Sequence, residues 1–146
     1  ARRIEELTEE ERELKRELQA LVEREAPELL AERGVGPISA AQLLVSWSHR
    51  GRFPREACFA RLGGVPPIPA SSGQTVRHRL DRGGDRKLNR ALHQIVVSRR
   101  KSDPRTIAYI ARRVSEGKSE REAIRCLKRY LARHLFRVLE AAAGPA

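Results

Sequence analysis

The sequence predicts a mostly α-helical protein, in which an N-terminal coiled-coil helix is followed by a compact helical domain containing a helix-hairpin-helix and an irregular serine loop. Three observations support this prediction: apolar residues at heptad spacing near the N-terminus, a Gly-x-Gly turn between two helical patterns, and capping residues before two later helices. We therefore divide the chain into residues 1–26, a coiled-coil or linker helix, and residues 27–146, the helical domain.

The first segment carries a narrow apolar stripe, here called the seam. Its members alternate in three- and four-residue steps, like the a and d positions of a coiled coil, with one acidic interruption: Ile4, Leu7, Glu11, Leu14, Leu18 and Leu21. A polar helix with a single narrow stripe needs a partner helix, so we expect a homo-oligomer formed through residues 4–25. A helix from another part of a longer protein, or packing on the chain's own domain, is the alternative.

Residues 29–47 match a helix-hairpin-helix, with Gly34-Val35-Gly36 as the hairpin and Pro37 opening the second helix. Glycine lets the backbone turn tightly and approach a phosphate closely. The free N–H groups at the start of the second helix then attract that phosphate. We expect Gly34 and Gly36 to contact a nucleic-acid backbone without reading its sequence, and a purely structural hairpin is the alternative.

A short helix is predicted over residues 54–63, ended by the Gly63-Gly64 pair, and the proline-rich stretch 65–69 must be extended. Residues 76–80 alternate apolar and basic side chains, as a short strand or hairpin arm does. The predicted irregular loop that joins these parts is here called the serine segment (residues 69–84).

Three longer helices are predicted after the serine segment. Asp85 caps one that runs to about Lys101, Pro104 opens the next, and a Ser119–Glu122 capping box begins the last. We expect them to bury an apolar side, formed by Leu88, Leu92, Ile95 and Val96 in the first and by Ala123, Ile124, Leu127, Leu131, Leu135, Val138 and Leu139 in the last. Their exposed sides should carry cations: Arg86, Lys87, Arg90, Arg121, Arg125, Lys128, Arg129 and Arg133.

The chain is strongly basic, with a formal charge of +11 and a pI near 10.9. Residues 1–32 hold 11 acidic and 6 basic side chains, whereas residues 33–146 hold 24 basic and 8 acidic ones. This distribution indicates a polyanionic partner, most simply a nucleic acid. No apolar run is long enough to span a bilayer, and an aromatic content of 4% argues against binding by base stacking.

The two cysteines, Cys58 and Cys126, lack metal-ligand spacing and sit among apolar residues. We therefore expect buried, reduced thiols, a cytoplasmic location, and neither a metal site nor a cofactor on this chain. The chain begins with Ala1 and contains no Met, which favours a piece of a longer protein.

The residues with the clearest chemical potential lie in the serine segment and just after it. Pro69-Ala70-Ser71-Ser72-Gly73 places hydroxyl groups directly before a dense basic cluster, which consists of Arg77, Arg79, Arg82, Arg86, Lys87 and Arg90. A hydroxyl can attack a phosphodiester, and guanidinium groups can neutralise its oxygens. His78 is a candidate base or, more simply, a phosphate contact or an exposed residue. The alternative is a polar turn before a basic helix that only holds phosphate.

The order of motifs resembles that of one family. The motifs are, in sequence, Gly34–Ala40, Arg52-Phe53-Pro54, Ala60–Pro67, Ser71-Ser72-Gly73 and Arg82–Leu92. Together they resemble the C-terminal domain of the bridge-RNA-guided insertion-sequence transposases, a group related to the Piv-type DNA invertases. The resemblance spans about residues 33 to 140, and the seam resembles the coiled coil that joins this domain to the family's N-terminal RuvC-like domain.

The resemblance implies a DNA recombinase that assembles from several subunits on DNA and a non-coding guide RNA. In the family a serine forms a covalent link to DNA, and that serine maps onto Ser72, with Ser71 as the adjacent alternative. Four acidic residues of the family's N-terminal domain, which this sequence lacks, would bind a divalent metal such as Mg²⁺. We therefore expect this piece to bind DNA and RNA in the bacterial nucleoid and to be inactive alone. The alternative function is a non-catalytic module for nucleic-acid binding and oligomerisation.

Overall fold

The computed structural model describes residues 1–66, 68–69, 78–79 and 83–145, and this part of the chain folds into seven helices and one pair of two-residue strands. In chain order they are α1 (Arg2–Glu25), α2 (Pro27–Ala31), α3 (Pro37–Trp47), α4 (Glu56–Leu62), β1 (Ile68–Pro69), β2 (His78–Arg79), α5 (Arg86–Ser102), α6 (Pro104–Ser115) and α7 (Glu120–Ala142). The mostly α-helical fold class is confirmed. None of the described helices has the length and apolar character needed to cross a membrane.

The last helix, α7, lies at the centre of the fold and packs against α2, α3, α4, α5 and α6. It begins with the predicted capping box, in which the Glu122 amide donates to the Ser119 hydroxyl and the Ser119 amide donates to the Glu122 carboxylate. Leu131, Leu135 and Leu139 are buried on its inner side, whereas three further apolar residues expected there are only half-buried: Ile124, Leu127 and Val138.

Three phenylalanine rings connect α4 and α7 at one end of the core. The Phe59 ring lies 5.5 Å from the Phe53 ring and 5.7 Å from the Phe136 ring, measured between centroids. Phe59 is completely buried. The Phe53–Phe59 contact is edge-to-face, whereas the planes of Phe59 and Phe136 are tilted by 31°. Favourable aromatic contacts add to the free energy that burial of the rings supplies. The short helix α4 is therefore held mainly by what it packs against, because seven residues are too few for a stable isolated helix.

The sequence predicts an exposed Lys128, and this prediction is wrong. Lys128 is 6% exposed, because the side of α7 that carries it faces α5. Its ammonium group donates to the Asn89 side-chain oxygen at 2.9 Å, which keeps the buried nitrogen hydrogen-bonded.

The cysteines also differ in part from expectation: Cys58 and Cys126 are free thiols, but both are half-buried rather than buried.

The first helix extends away from the rest of the chain. Val22 is its only buried residue, and α1 contacts α2 and α3. The seam remains open to solvent within the described residues, with Ile4 69% and Leu14 54% exposed. An uncovered apolar stripe on a helix of about 36 Å is compatible with a partner helix. The homo-oligomer stays a prediction.

Two residues of each predicted extended stretch form a strand, and residues 67, 76, 77 and 80 of those stretches lie outside the described residues. β1 and β2 pair in antiparallel fashion, with Ile68 opposite Arg79 and Pro69 opposite His78. The helix predicted over residues 54–63 is shorter at its N-terminal end, since Arg55 is extended and acts as the N-cap of α4.

The end of α4 contacts the residues that precede α5. The Asp85 amide donates to the Leu62 carbonyl oxygen at 2.6 Å. Gly84, with a φ of +98°, lies so close that a Cβ atom there would clash with the same carbonyl oxygen. Gly84 is therefore required both by its backbone conformation and by the lack of space.

We predict that Gly84→Ala lowers the free energy of unfolding by about 2–4 kcal/mol, because a left-handed conformation and an overlap with backbone are combined. Gly117→Ala is the matched control, since Gly117 has a φ of +93° with no atom near the added Cβ. It should cost only about 1 kcal/mol. Urea unfolding measures both values, and equal losses would show that the close approach to Leu62 is unimportant.

Candidate nucleic-acid interface

Asp85 fixes the start of α5, the helix that carries the described half of the basic cluster. One carboxylate oxygen accepts from the amides of Lys87 at 2.9 Å and Leu88 at 3.0 Å, as the sequence predicts for an N-cap. The other accepts from the Ser46 hydroxyl on α3 at 2.7 Å. The Asp85 side chain therefore joins the first turn of α5 to the last turn of α3.

These hydrogen bonds keep Asp85 ionised. Burial raises the pKa of its carboxyl group, but hydrogen bonds from the Leu88 amide, the Ser46 hydroxyl and the Lys87 amide outweigh burial, so the pKa lies below its ordinary value. A lowered pKa in the folded state stabilises the fold at neutral pH, and this contribution is lost as the pH falls through that lowered value. The cap is thus intact throughout the physiological range.

Arg86, Lys87 and Arg90 project into solvent from the first turns of α5, as predicted. None of them forms a salt bridge with any carboxylate of the described residues. Helix α5 itself contains no acidic residue. The start of α5 is therefore a concentration of positive charge that the described protein does not neutralise.

The acidic residues of the basic part of the chain have other partners. Glu56 pairs with Arg133 and Arg137, and Glu120 pairs with Arg100. Every other acidic side chain that the structure describes between residues 33 and 146 also has a partner. Asp85 and Asp103 cap helices, and Glu122 belongs to the capping box. Glu116 pairs with Arg112 and Arg113, and Glu140 accepts a hydrogen bond from Trp47. The carboxylates that the chain offers there are thus already engaged.

The chain is held near the junction of α4 and α5 both before and after the serine segment. On the entry side Val65 is buried, and its amide donates to the Ala60 carbonyl at 3.4 Å. On the exit side Asp85 is bonded to Leu62, as described above. Ser71, Ser72, Arg77 and Arg82 lie outside the described residues, as do the side chains of His78 and Arg79, whose backbone forms β2.

The residues for which the sequence predicts a helix-hairpin-helix fold as α2, a turn and α3, and the assignment of that motif stays a prediction. Gly34 in the turn has a φ of +80°, and a Cβ there would lie 3.0 Å from the Ile95 carbonyl oxygen of α5. Arg99 reinforces this contact by donating to the Arg33 carbonyl at 2.7 Å. Packing against α5 thus explains Gly34 structurally. Gly36 instead caps α3 with open space around it, directly before Pro37.

The two groups of proposed phosphate-binding residues lie at opposite ends of the α3–α5 pair. Ser46, near the end of α3, contacts Asp85 at the start of α5, whereas Gly34, before α3, contacts Ile95 and Arg99 far along α5. The two helices are therefore antiparallel. Nine residues of helix separate Arg90 from Arg99, which corresponds to about 13 Å. A single phosphate cannot bridge the two groups, although successive phosphates of one strand can.

Asn89 links three elements at the same junction, a role that its sequence position does not indicate. Its side-chain amide donates to the Gly63 carbonyl at 2.7 Å, and its side-chain oxygen accepts from Lys128. Gly63 follows α4 directly, so Asn89 satisfies a carbonyl at a helix C-terminus. An Asn directly before Arg90 in a basic helix is ordinarily interpreted as an exposed surface amide. Only the packing of α4 and α7 against α5 shows that Asn89 joins these helices.

The described residues contain no group of three or more His, Cys, Asp or Glu side chains that could hold a metal ion. The exposed side chains at the start of α5 are cations, namely Arg86, Lys87 and Arg90. Such side chains repel metal ions and attract anions. The chemistry of this surface is therefore that of anion binding.

The fold and this surface define a small, strongly basic helical domain with cations available to a polyanion. A family model described as "Transposase IS116/IS110/IS902 family" matches residues 26–111, and the chain belongs to this family. The chain is also 33% identical over 134 residues to a Streptomyces coelicolor protein described as "Insertion element IS110 uncharacterized 43.6 kDa protein". That match covers 90% of this chain and 33% of the relative, so the chain spans about a third of the relative's length.

Proposed function

We propose that this chain is the C-terminal part of a DNA transposase, that it binds DNA and a guide RNA, and that it supplies Ser72 as the nucleophile for strand cleavage and exchange. Membership of the transposase family supports the general activity. The resemblance to the bridge-RNA-guided transposases supports the nucleophile and the guide RNA. A cytoplasmic location and association with the nucleoid belong to the same proposal.

One observation carries the proposal: the serine segment ends directly before the first turn of α5, whose cations form no salt bridge with any carboxylate of the described residues. Its exit is fixed by Asp85, and Arg86 is the next residue. A phosphate bound by Arg86, Lys87 and Arg90 is therefore close to the base of the segment that contains Ser72. Such cations stabilise the additional negative charge that a phosphodiester develops when an alkoxide attacks it.

In the proposed reaction the Ser72 Oγ attacks a backbone phosphorus. The new Oγ–P bond forms while the bond from phosphorus to one strand oxygen breaks, and the freed strand oxygen takes a proton. A base must remove the hydroxyl proton, because serine is a weak nucleophile otherwise. The residues of this chain offer no acidic metal cluster in their described part. We therefore place the base, with any Mg²⁺, on a different part of a longer protein and derive no step through a metal.

Gly36 and the start of α3 are proposed as a second contact with the backbone. The first amides of a helix lack intrahelical partners, and no side chain caps α3. Gly34 shares the turn, but its position against α5 makes its contribution that of shaping the hairpin. The hairpin and the start of α5 would then hold different phosphates of one nucleic acid.

We predict that Ser72→Ala in the full-length transposase still binds DNA but forms at least about a thousandfold less covalent protein–DNA adduct, because the attacking oxygen is missing. Denaturing electrophoresis of labelled DNA measures the adduct. Ser71→Ala is the matched control and should retain adduct formation. Loss in Ser71→Ala alone would assign the nucleophile to Ser71. Normal adduct levels in both variants would favour the non-catalytic binding and oligomerisation module.

We predict that the double variant Arg86→Gln, Arg90→Gln weakens binding of a short DNA duplex and flattens the dependence of log Kd on log salt by about 1 for each phosphate that the variant no longer neutralises. Fluorescence anisotropy measures both quantities, and an RNA duplex serves as a parallel ligand. The double variant removes two positive charges, so Arg12→Gln with Arg24→Gln is the matched control, and Arg12 pairs with Glu9 on α1. Arg24 pairs with Glu25 on the same acidic helix, so this control should leave the slope unchanged. Equal effects of the two double variants would indicate a general charge effect only.

We also propose that α1 assembles copies of the protein through the seam. Leu14→Asp with Leu18→Asp should lower the mass measured by light scattering to that of one chain, because two carboxylates would enter an apolar helix interface. Ala20→Asp is the control, since exposed Ala20 lies on the opposite side of α1. An unchanged mass in the double variant would exclude the seam as the interface.

A further inference from the structure

The line along which α5 and α7 pack together, here called the groove, contains a buried cation that has no counter-ion among the described residues. Lys128 is 6% exposed, and its ammonium group makes one hydrogen bond, to Asn89. It forms no salt bridge within the described part of the chain. Two of its three N–H bonds are thus without a protein partner there. A buried ammonium group is costly unless it is paired and fully hydrogen-bonded, so this arrangement calls for an anion.

Two further basic side chains lie beside Lys128. Arg125 precedes it by one turn on α7, and His93 follows Asn89 by one turn on α5, so both are neighbours by helical spacing. Arg125 is half-buried and His93 is exposed, which places them toward the opening of the groove. Burial lowers the pKa of Lys128, with a smaller effect from Arg125, and burial and Lys128 together lower the pKa of His93. The groups therefore influence one another.

No acidic residue of the described part of the chain forms a salt bridge with Lys128, Arg125 or His93. The acidic residue nearest to Arg125 along α7 is Glu122, which attracts Arg125 from one turn away while its carboxylate accepts from the Ser119 amide. No other acidic residue on the two helices lies close along the sequence. Helix α5 contains none, and α7 contains none between Ala123 and Leu139. The acidic residues on neighbouring elements pair elsewhere, since Glu56 binds Arg133 and Arg137, and Glu32 binds Arg99 and His134. The cationic side chains of the groove are therefore matched to an anion from outside the protein.

We propose that this groove binds one phosphate group of a nucleic-acid backbone, held by the Lys128 ammonium group together with Arg125 and His93. The inference rests on the proposed function for its ligand and adds a binding site to it. Asn89 orients the Lys128 nitrogen, and through Gly63 it ties the same contact to the start of the chain that leads into the serine segment. Binding of this phosphate would thus set the position of the strand relative to that segment.

The first experiment measures the thermal unfolding of the 146-residue chain in sodium phosphate and in sodium chloride of equal ionic strength. Phosphate should raise the midpoint of the wild-type chain beyond chloride, by binding to the folded state. Phosphate also stabilises proteins non-specifically, so the comparison between variants decides. Lys128→Met should weaken the apparent phosphate affinity about tenfold or more, whereas the exposed Lys101→Met should not. Equal phosphate effects in the three proteins would overturn the proposal.

The second experiment keeps the proposal testable if Lys128→Met does not fold. Inorganic phosphate added to the wild-type chain should shift the NMR signals of the His93 ring, while those of exposed His49 stay in place. Arg125→Gln should reduce the shift. A His93 signal that does not respond to phosphate would overturn the proposal.

A third measurement identifies the source of the phosphate. A single-stranded DNA and an RNA of the same sequence should each compete with inorganic phosphate at His93. Failure of both to compete would overturn the nucleic-acid assignment and leave a site for free phosphate. None of these measurements depends on Ser72, so failure of the proposed nucleophile and failure of this site are distinguishable.

Discussion

The hydrogen bonds around Asp85 are the constraint on which the arrangement of this domain depends. Its carboxylate joins the first turn of α5 to Ser46 on α3, and its amide joins the same point to the end of α4. Because Gly84 beside it packs against the Leu62 carbonyl, the junction tolerates little displacement. The chain before and after the serine segment is anchored to α4, through Val65 and Asp85. Contacts outside the segment therefore offset the entropy cost of bringing these two points together.

The sequence predicted what depends on neighbouring residues along the chain. The Asp85 cap, the Ser119–Glu122 capping box and the apolar side of α5 follow from patterns within one or two helical turns, and the structure contains each of them. Contacts between distant residues were not predictable in this way. The hydrogen bond from Ser46 to Asp85 joins residues 39 positions apart. Nothing in the sequence around Ser46 distinguishes its hydroxyl from an ordinary surface hydroxyl.

In the candidate site, too, the features set by neighbouring residues were predictable, whereas the contacts between distant residues were not. The outward position of Arg86, Lys87 and Arg90 follows from helical periodicity once Asp85 is recognised as the cap. Lys128 follows the same periodicity as Arg121, which is exposed, and Arg125, which is half-buried. Asn89 on another helix supplies the hydrogen bond that makes the burial of Lys128 tolerable. For Gly34 a close approach to a phosphate and a close approach to α5 require the same residue type. Sequence alone cannot separate the two explanations, because both depend only on the missing Cβ.

Exposed and buried cations would contribute differently to the binding of a polyanion. Arg86, Lys87 and Arg90 lie in water, where salt screens each charge within about 8–10 Å, so they favour encounter with any phosphate backbone and hold it loosely. Lys128 lies in a less polar environment, where screening is weaker and the donor direction is fixed by Asn89. On the proposals above, the three exposed cations supply most of the salt-dependent attraction. Lys128, the buried cation, determines which phosphate of the strand is bound between α5 and α7. Accurate positioning of a scissile bond needs the second property, since general attraction leaves the strand free to slide along the surface.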